Sequence, residues 1–199
     1  MANLAIIDSG GANIASLLYA FERLGVRADL TTDAQAIRRA PRVILPGVGA
    51  AADAMARLAA AGLPGLLREL EQPVLGICLG MQLLAETSAE GETDCLGVVP
   101  GTATRLAPAS GYPVPNMGWC AVTRVATHPL FTDIDDGAYF YFLHSYALPV
   151  TGVTLATAEH SVPFSAVIGR DNFVATQFHP ERSSAAGARL LENFLTWSP

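Results

Sequence analysis

The chain has 199 residues, with 18 acidic against 12 basic side chains and a formal net charge of −6. Every basic residue is arginine, which excludes a Schiff-base lysine, a serine–lysine dyad and the lysine of a phosphate-cradling loop. The acidic balance argues against non-specific binding to nucleic acid or to anionic membranes, and no apolar run approaches the roughly 20 residues of a membrane helix.

The opening Met1–Asp8 lacks the basic region and cleavage site of a signal peptide and reads as a strand. The three cysteines, Cys78, Cys95 and Cys120, form neither a disulfide framework nor a zinc pattern. No metal and no cofactor is expected, and the expected compartment is the reducing cytoplasm. The length and the absence of a linker or repeat predict one domain over residues 1–199.

The first half alternates strand and helix. Leu4–Asp8 is an apolar run ending in a turn. Ile14, Leu17, Leu18, Phe21 and Leu24 form one helical face closed by Gly25. Val26–Thr31 reads as a second strand, Asp33 as the cap of a short helix, and Arg42–Leu45 as a third strand stopped by Pro46-Gly47-Val48-Gly49. A helical stretch from about Ala50 to Leu70 is broken near Gly62–Pro64. Pro73–Ile77 is a fourth strand, and Leu79–Glu86 a helix. Repeated β-α units of this kind imply a parallel sheet covered on both faces.

In the second half, runs at Thr102–Leu106, Trp119–Val125, Ala138–Leu143, Val153–Ala158, Phe164–Ile168 and Phe173–Phe178 are β-branched, aromatic or alternating, with turn residues between them. They read as antiparallel hairpins added to the sheet. Ser183 or Ser184 caps a final helix that turns Leu190, Leu191, Phe194, Leu195 and Trp197 inward. The predicted fold is α/β, three-layer, with a mostly parallel central sheet and antiparallel hairpin additions in the second half.

Gly76-Ile77-Cys78-Leu79-Gly80 has the spacing of a nucleophile elbow with cysteine in the nucleophile's place, between a buried strand and a helix. The corner would hold the Cys78 side chain at the positive end of that helix and leave the Leu79 N–H free to donate to an oxyanion. The alternative is a buried cysteine in a glycine-flanked turn; strand, spacing and helix together favour the nucleophile. A base is then required. His128 and His160 are expected at the surface, and His144 follows an apolar strand. His179, in Gln177-Phe178-His179-Pro180-Glu181, stands at the carboxyl end of a strand, where open α/β sheets place ligands. Glu181 is placed to accept from its imidazole. Gly47-Val48-Gly49 is placed to supply a second oxyanion donor. Gly47–Ala52 also matches a dinucleotide fingerprint, but it follows the third strand rather than the first, and Glu69, the acid about 20 residues on, falls in a helical segment.

Gly-Ile-Cys-Leu-Gly-Met-Gln (76–82) with Gln-Phe-His-Pro-Glu (177–181) resembles the class I, or triad-type, glutamine amidotransferases. Four further blocks are similar to the stand-alone glutaminase subunits of imidazole glycerol phosphate synthase in histidine biosynthesis: Pro-Gly-Val-Gly (46–49), Asn-Met-Gly-Trp (116–119), Tyr-Phe-Leu-His-Ser-Tyr (141–146) and Pro-Glu-Arg-Ser-Ser (180–184). The resemblance implies hydrolysis of glutamine through a cysteine thioester, with Cys78 as nucleophile, His179 as base and Glu181 orienting it. It implies oxyanion N–H groups from Val48 and Leu79, flanked by Gly47 and Gly49, and glutamine contacts from Gln82, Glu90, Ser145 and Tyr146. The implied partner is a (β/α)8-barrel cyclase subunit, forming a heterodimer, that receives the ammonia, with Asn13, Met117, Trp119 and Arg182 at or near the contact. Ser9 and Ala12 depart from the family's usual opening, Cys120 from its usual asparagine, and Arg182 from its usual lysine. Another triad amidotransferase subunit, such as that of anthranilate synthase, a related cysteine hydrolase and a non-catalytic flavodoxin-like module remain as alternatives.

Overall fold

The computed structural model describes residues 4–10 and 14–199, so the Met1–Asn3 start of the first predicted strand and the interface candidate Asn13 lie outside the described residues. The first half runs β1 (Leu4–Ile7), α1 (Ile14–Arg23), β2 (Ala28–Thr31), α2 (Ala34–Arg39), β3 (Val43–Gly47), α3 (Ala51–Ala60), α4 (Leu63–Arg68), β4 (Val74–Cys78) and α5 (Leu79–Leu83). The second half runs β5 (Thr87–Ser88), β6 (Thr93–Asp94), β7 (Thr102–Arg105), β8 (Asn116–Ala121), β9 (Thr123–Arg124), β10 (Tyr139–His144), β11 (Tyr146–Ala147), β12 (Thr154–His160), β13 (Val162–Arg170), β14 (Phe173–Thr176) and α6 (Ser184–Thr196).

The central sheet has the order β2-β1-β3-β4-β14-β13-β12-β9. The pairs from β2 to β14 are parallel and the last three are antiparallel. Alternate side chains of each buried strand enter opposite layers. Leu4 and Ile6 join Leu17 and Phe21 of α1 and Leu190, Leu191 and Phe194 of α6, whereas Ala5 and Ile7 join Ile37 of α2 and Leu58 of α3. This is the three-layer arrangement expected from the β-α repeats.

Local signals explain most boundaries. The Asp33 carboxylate accepts from the Ala36 N–H at 2.7 Å and caps α2. Gly62, at φ +68°, breaks the predicted Ala50–Leu70 stretch into α3 and α4. α5 is shorter than the predicted Leu79–Glu86 because its last carbonyls are taken by the following loop: Leu96 N–H donates to Leu83, Val98 and Val99 to Leu84, and Gly97 to Ala85.

The second half departs from the expectation in several places. Only β9, β12 and β13 extend the central sheet as antiparallel additions. β8 and β10 pair with each other, and β7 joins β5, β6 and β11 in a small mixed sheet. The predicted Trp119–Val125 run is split between β8 and β9, since Val122 turns inward between them. The two-residue strands are too short to carry a periodic signal. His160, expected at the surface, is buried at the end of β12 with Nε2 against the Pro113 carbonyl at 2.7 Å. His128 is half-buried, and its Nδ1 accepts from the Leu130 N–H. Ser183 occupies the cap position of α6, but its hydroxyl is used elsewhere, as described below.

Candidate active site

β4 ends on Cys78, which sits at φ 55° and ψ −110°, a left-handed conformation that a residue with a side chain adopts only when its surroundings enforce it. Glycines make the corner possible. A Cβ on Gly80 would collide with the Leu45 carbonyl of β3, and one on Gly76 would approach Ala175 of β14 to 2.9 Å. The sulfur therefore stands at the carboxyl edge of the sheet, between β3 and β14. Its thiol faces the Leu143 carbonyl at 3.7 Å, and the Gln177 side-chain amide donates to it at 3.9 Å.

His179 follows β14, the neighbour of β4. Its backbone N–H donates to the Tyr141 carbonyl of β10 at 2.9 Å. The Ser183 hydroxyl donates to the His179 carbonyl at 2.6 Å and accepts from the Tyr141 N–H at 2.9 Å, so it braces this corner instead of capping α6. A Cβ on Gly187 would strike the Pro180 carbonyl, so glycine lets α6 close onto the His-Pro-Glu turn. The imidazole Nδ1 meets Glu181 Oε1 at 2.9 Å, with both side chains buried. Burial works against a charge on His179, but hydrogen bonding and charge from Cys78 and then Glu181 outweigh it and hold the imidazolium up to about 10.

The Gly47-Val48-Gly49 loop flanks the same edge. Gly47 is in register with Cys78, and a Cβ there would lie 2.9 Å from Leu79 Cβ. Val48 is half-buried and Gly49 is exposed at φ +87°. The buried Ser9 hydroxyl donates to the Pro46 carbonyl at 2.8 Å, and Arg57 of α3 donates from Nε to the Ser9 carbonyl. These tethers to the loop had no sequence signal, because a serine in a turn is ordinarily read as turn chemistry.

A cleft of about 450 Å³ brings the sequence candidates together: Val48, Gly49, Cys78, Leu79, Gln82, Glu90, Ser145, Tyr146, His179 and Arg182 line it. Pro115, Leu143 and His144 complete the wall; of these the sequence points only to His144, as one of four histidines available as a base. Gln82 donates through Nε2 to the Tyr146 carbonyl at 2.7 Å and to Gln177 Oε1 at 3.1 Å. Glu90 accepts from the Ala51 N–H at 2.8 Å, which joins it to the start of α3. On β8, Met117 and Trp119 are 67% and 51% exposed. The Arg182 guanidinium lies 4.5 Å over the Tyr141 ring, and Trp119 meets the same ring edge-on. A buried cysteine and a buried histidine lining one cleft, the histidine bonded to a buried carboxylate, form the arrangement of covalent acyl chemistry.

The pattern of the glutamine amidotransferase class-I family matches residues 5–197. The chain belongs to the class-I glutamine amidotransferase family. It is 51% identical over 198 residues to the imidazole glycerol phosphate synthase subunit HisH of Xanthomonas campestris pv. campestris, covering 100% of this chain and 99% of the relative. The subunit of the same name from Xylella fastidiosa is 49% identical over 195 residues, covering 98% of each chain. Among solved structures, a glutamine amidotransferase superposes with a TM-score of 0.76 at 18% identity over 97% of each chain. The glutaminase domain of Trypanosoma brucei CTPS, solved with bound acivicin, superposes with a TM-score of 0.70 at 16% identity over 100% of this chain and 96% of that one. At these identities the two structures establish the shared fold of this amidotransferase. Among the described residues no helix is long and apolar enough to cross a membrane.

Proposed function

We propose that this chain, folded as one domain over residues 1–199, is the glutaminase subunit of an imidazole glycerol phosphate synthase. It hydrolyses glutamine to glutamate and ammonia and passes the ammonia to a (β/α)8-barrel cyclase subunit in the cytoplasm. Near-50% identity to HisH subunits along the whole chain carries the assignment of the subunit.

Glutamine lies in the cleft with its side-chain amide between Cys78 and the Gly47–Gly49 loop, held by Gln82, Glu90, Ser145 and Tyr146. The Cys78 sulfur, its proton passed to His179, attacks the amide carbon and the carbonyl π pair moves to oxygen. The N–H groups of Val48 and Leu79 receive that oxyanion; loss of one such donor costs about 3 kcal/mol, or 10²–10³ in rate. Imidazolium His179 gives its proton to the leaving nitrogen as the C–N bond breaks, releasing ammonia and leaving a thioester. Neutral His179 then takes a proton from water, whose oxygen attacks the thioester carbon; sulfur leaves and glutamate is formed. Glu181 holds the imidazole through Nδ1 and stabilises its charged form. The exposed Met117 and Trp119, with Arg182 at the cleft rim, form the docking face for the cyclase.

The test is ammonia release from glutamine by the wild type and by Cys78→Ala, each with and without the barrel cyclase and its ligand. Activity confined to the wild type and raised by the cyclase supports the reading. Ammonia release by the alanine variant would remove Cys78 as nucleophile, and a rate indifferent to the cyclase would remove the partner.

A further inference from the structure

The chemistry above makes no use of His144, yet it is buried at the end of β10 and borders the cleft. Its Nδ1 lies 2.9 Å from the Tyr146 carbonyl, which has no proton to give, so Nδ1 carries the hydrogen and donates. The same carbonyl receives the Gln82 Nε2–H at 2.7 Å. Two side chains thus fix one carbonyl, directly after Ser145 in the cleft wall. With Nδ1 the donor, Nε2 of the neutral ring is an acceptor, and Asn116 Nδ2 stands 3.1 Å away to supply the hydrogen. The orientation of the Asn116 amide is set from its other end, where the Cys120 thiol donates to Oδ1 at 3.7 Å. Phe142 and Phe164 pack against the imidazole, at ring centroids 5.6 and 5.0 Å away.

We propose that His144 is a positioning residue for the substrate cleft: as the neutral Nδ1–H tautomer, held by Asn116, it locks the Tyr146 carbonyl and with it the Ser145–Tyr146 corner that grips glutamine. Burial favours this uncharged form and pushes His144 down to about 4; the Tyr146 carbonyl opposes that shift, and the neighbouring His160 and His179 add to it. Because neither ring nitrogen is left over, the imidazole has no proton to exchange with substrate, and its effect is on binding rather than on the chemical steps.

The proposal rests on the cleft being the glutamine site, and the experiment separates the two. Nitrogen NMR of the histidine side chains in the full wild-type chain at about neutral pH is expected to place the His144 proton on Nδ1. A proton on Nε2, or on both nitrogens, overturns the tautomer whatever the chain acts on. Glutamine-dependent ammonia release, with the cyclase present, is then measured for His144→Gln, His144→Phe and His144→Asn. Asparagine keeps an N–H near the Nδ1 position, whereas glutamine reaches only toward Asn116 and phenylalanine makes neither bond. The expected result is KM raised about tenfold in the glutamine and phenylalanine variants, as for one lost buried hydrogen bond, with kcat within about threefold and KM largely restored in the asparagine variant. An unchanged KM, a rise that asparagine does not restore, or a fall in kcat alone overturns the proposal; should the phenylalanine variant not fold, the glutamine–asparagine pair decides. A wild type that releases no ammonia from glutamine would instead overturn the glutaminase reading and leave the tautomer result standing.

Discussion

His179 Nδ1 and Glu181 Oε1 meet at 2.9 Å with both side chains almost wholly out of water. A charge pair in that setting is strong only while both members keep their charges. Glu181→Gln retains the shape and removes the charge, so kcat should fall by about 10²–10⁴ while KM changes little, as for carboxylates that orient a catalytic imidazole. Steady-state ammonia release over a glutamine series separates the two parameters, and a large rise in KM with normal kcat would place Glu181 in binding instead.

The same pair predicts a pH signature in stability. His179 is raised from its ordinary 6.5 to about 10 in the folded chain. The folded state therefore binds the proton more tightly than the unfolded state, and this contribution is complete below about pH 6.5. It fades as pH rises and is gone above about pH 10. Thermal melts across this window should show Tm falling, and falling less in Glu181→Gln and in Cys78→Ala, where a source of the elevation is gone. Parallel curves for all three proteins would contradict the coupling.

Gly80 and Leu45 give a steric prediction. A methyl group at position 80 would overlap the Leu45 carbonyl, and backbone cannot swing aside as a side chain can. Gly80→Ala should cost at least about 1–3 kcal/mol and abolish labelling of Cys78 by a glutamine-analogue alkylator. Gly65, in α4 with nothing within 4 Å of an added Cβ, is the control. Gly65→Ala should be neutral or stabilising by up to about 1 kcal/mol. Denaturant melts of the two variants test the contrast.

Much of this was legible in the residues. The elbow could be read because its demands are local: a strand, a cysteine between two glycines, and a helix. His179 could be read because a strand end fixes its place. The two-residue strands β5, β6, β9 and β11 could not, because they lack periodicity, and the sheets chosen by β7, β8 and β10 depend on contacts far along the chain. His160 looked like a loop residue since nothing nearby in sequence announces the Pro113 carbonyl that receives it. Ser183 met the rule for a helix cap, but tertiary partners at Tyr141 and His179 won the hydroxyl. The elbow's helix, expected over Leu79–Glu86, spans Leu79–Leu83, so positioning of Cys78 rests on the glycine corner more than on a helix dipole.

Ser9 was noted in sequence only as a departure from the family's opening. Its buried hydroxyl ties the Pro46 carbonyl, one peptide before the Gly47–Val48 unit whose N–H is proposed for the oxyanion. Ser9→Ala leaves that carbonyl without its donor and should cost about 1 kcal/mol of stability. Because the loss falls on the loop rather than on the substrate cleft, kcat should drop several-fold with little change in KM, and Ser9→Thr should recover most of it. A KM-dominated defect would show that the tether serves substrate binding.

The three thiols should separate under alkylation of the native chain. Cys95 is buried, and desolvation with the neighbouring Asp94 pushes it up to about 11, so at about neutral pH it is both shielded and protonated. Cys120 is half-buried and also raised, by burial working against its bond to Asn116. Cys78 lines the open cleft and adjoins His179. Mass spectrometry after brief iodoacetamide treatment should therefore find Cys78 modified first, Cys120 slowly and Cys95 only on unfolding. Added glutamine should slow the first reaction alone, since it competes for the same cleft. Protection of Cys120 or Cys95 by glutamine, or labelling of Cys78 at the rate of Cys95, would be incompatible with the cleft assigned to the substrate.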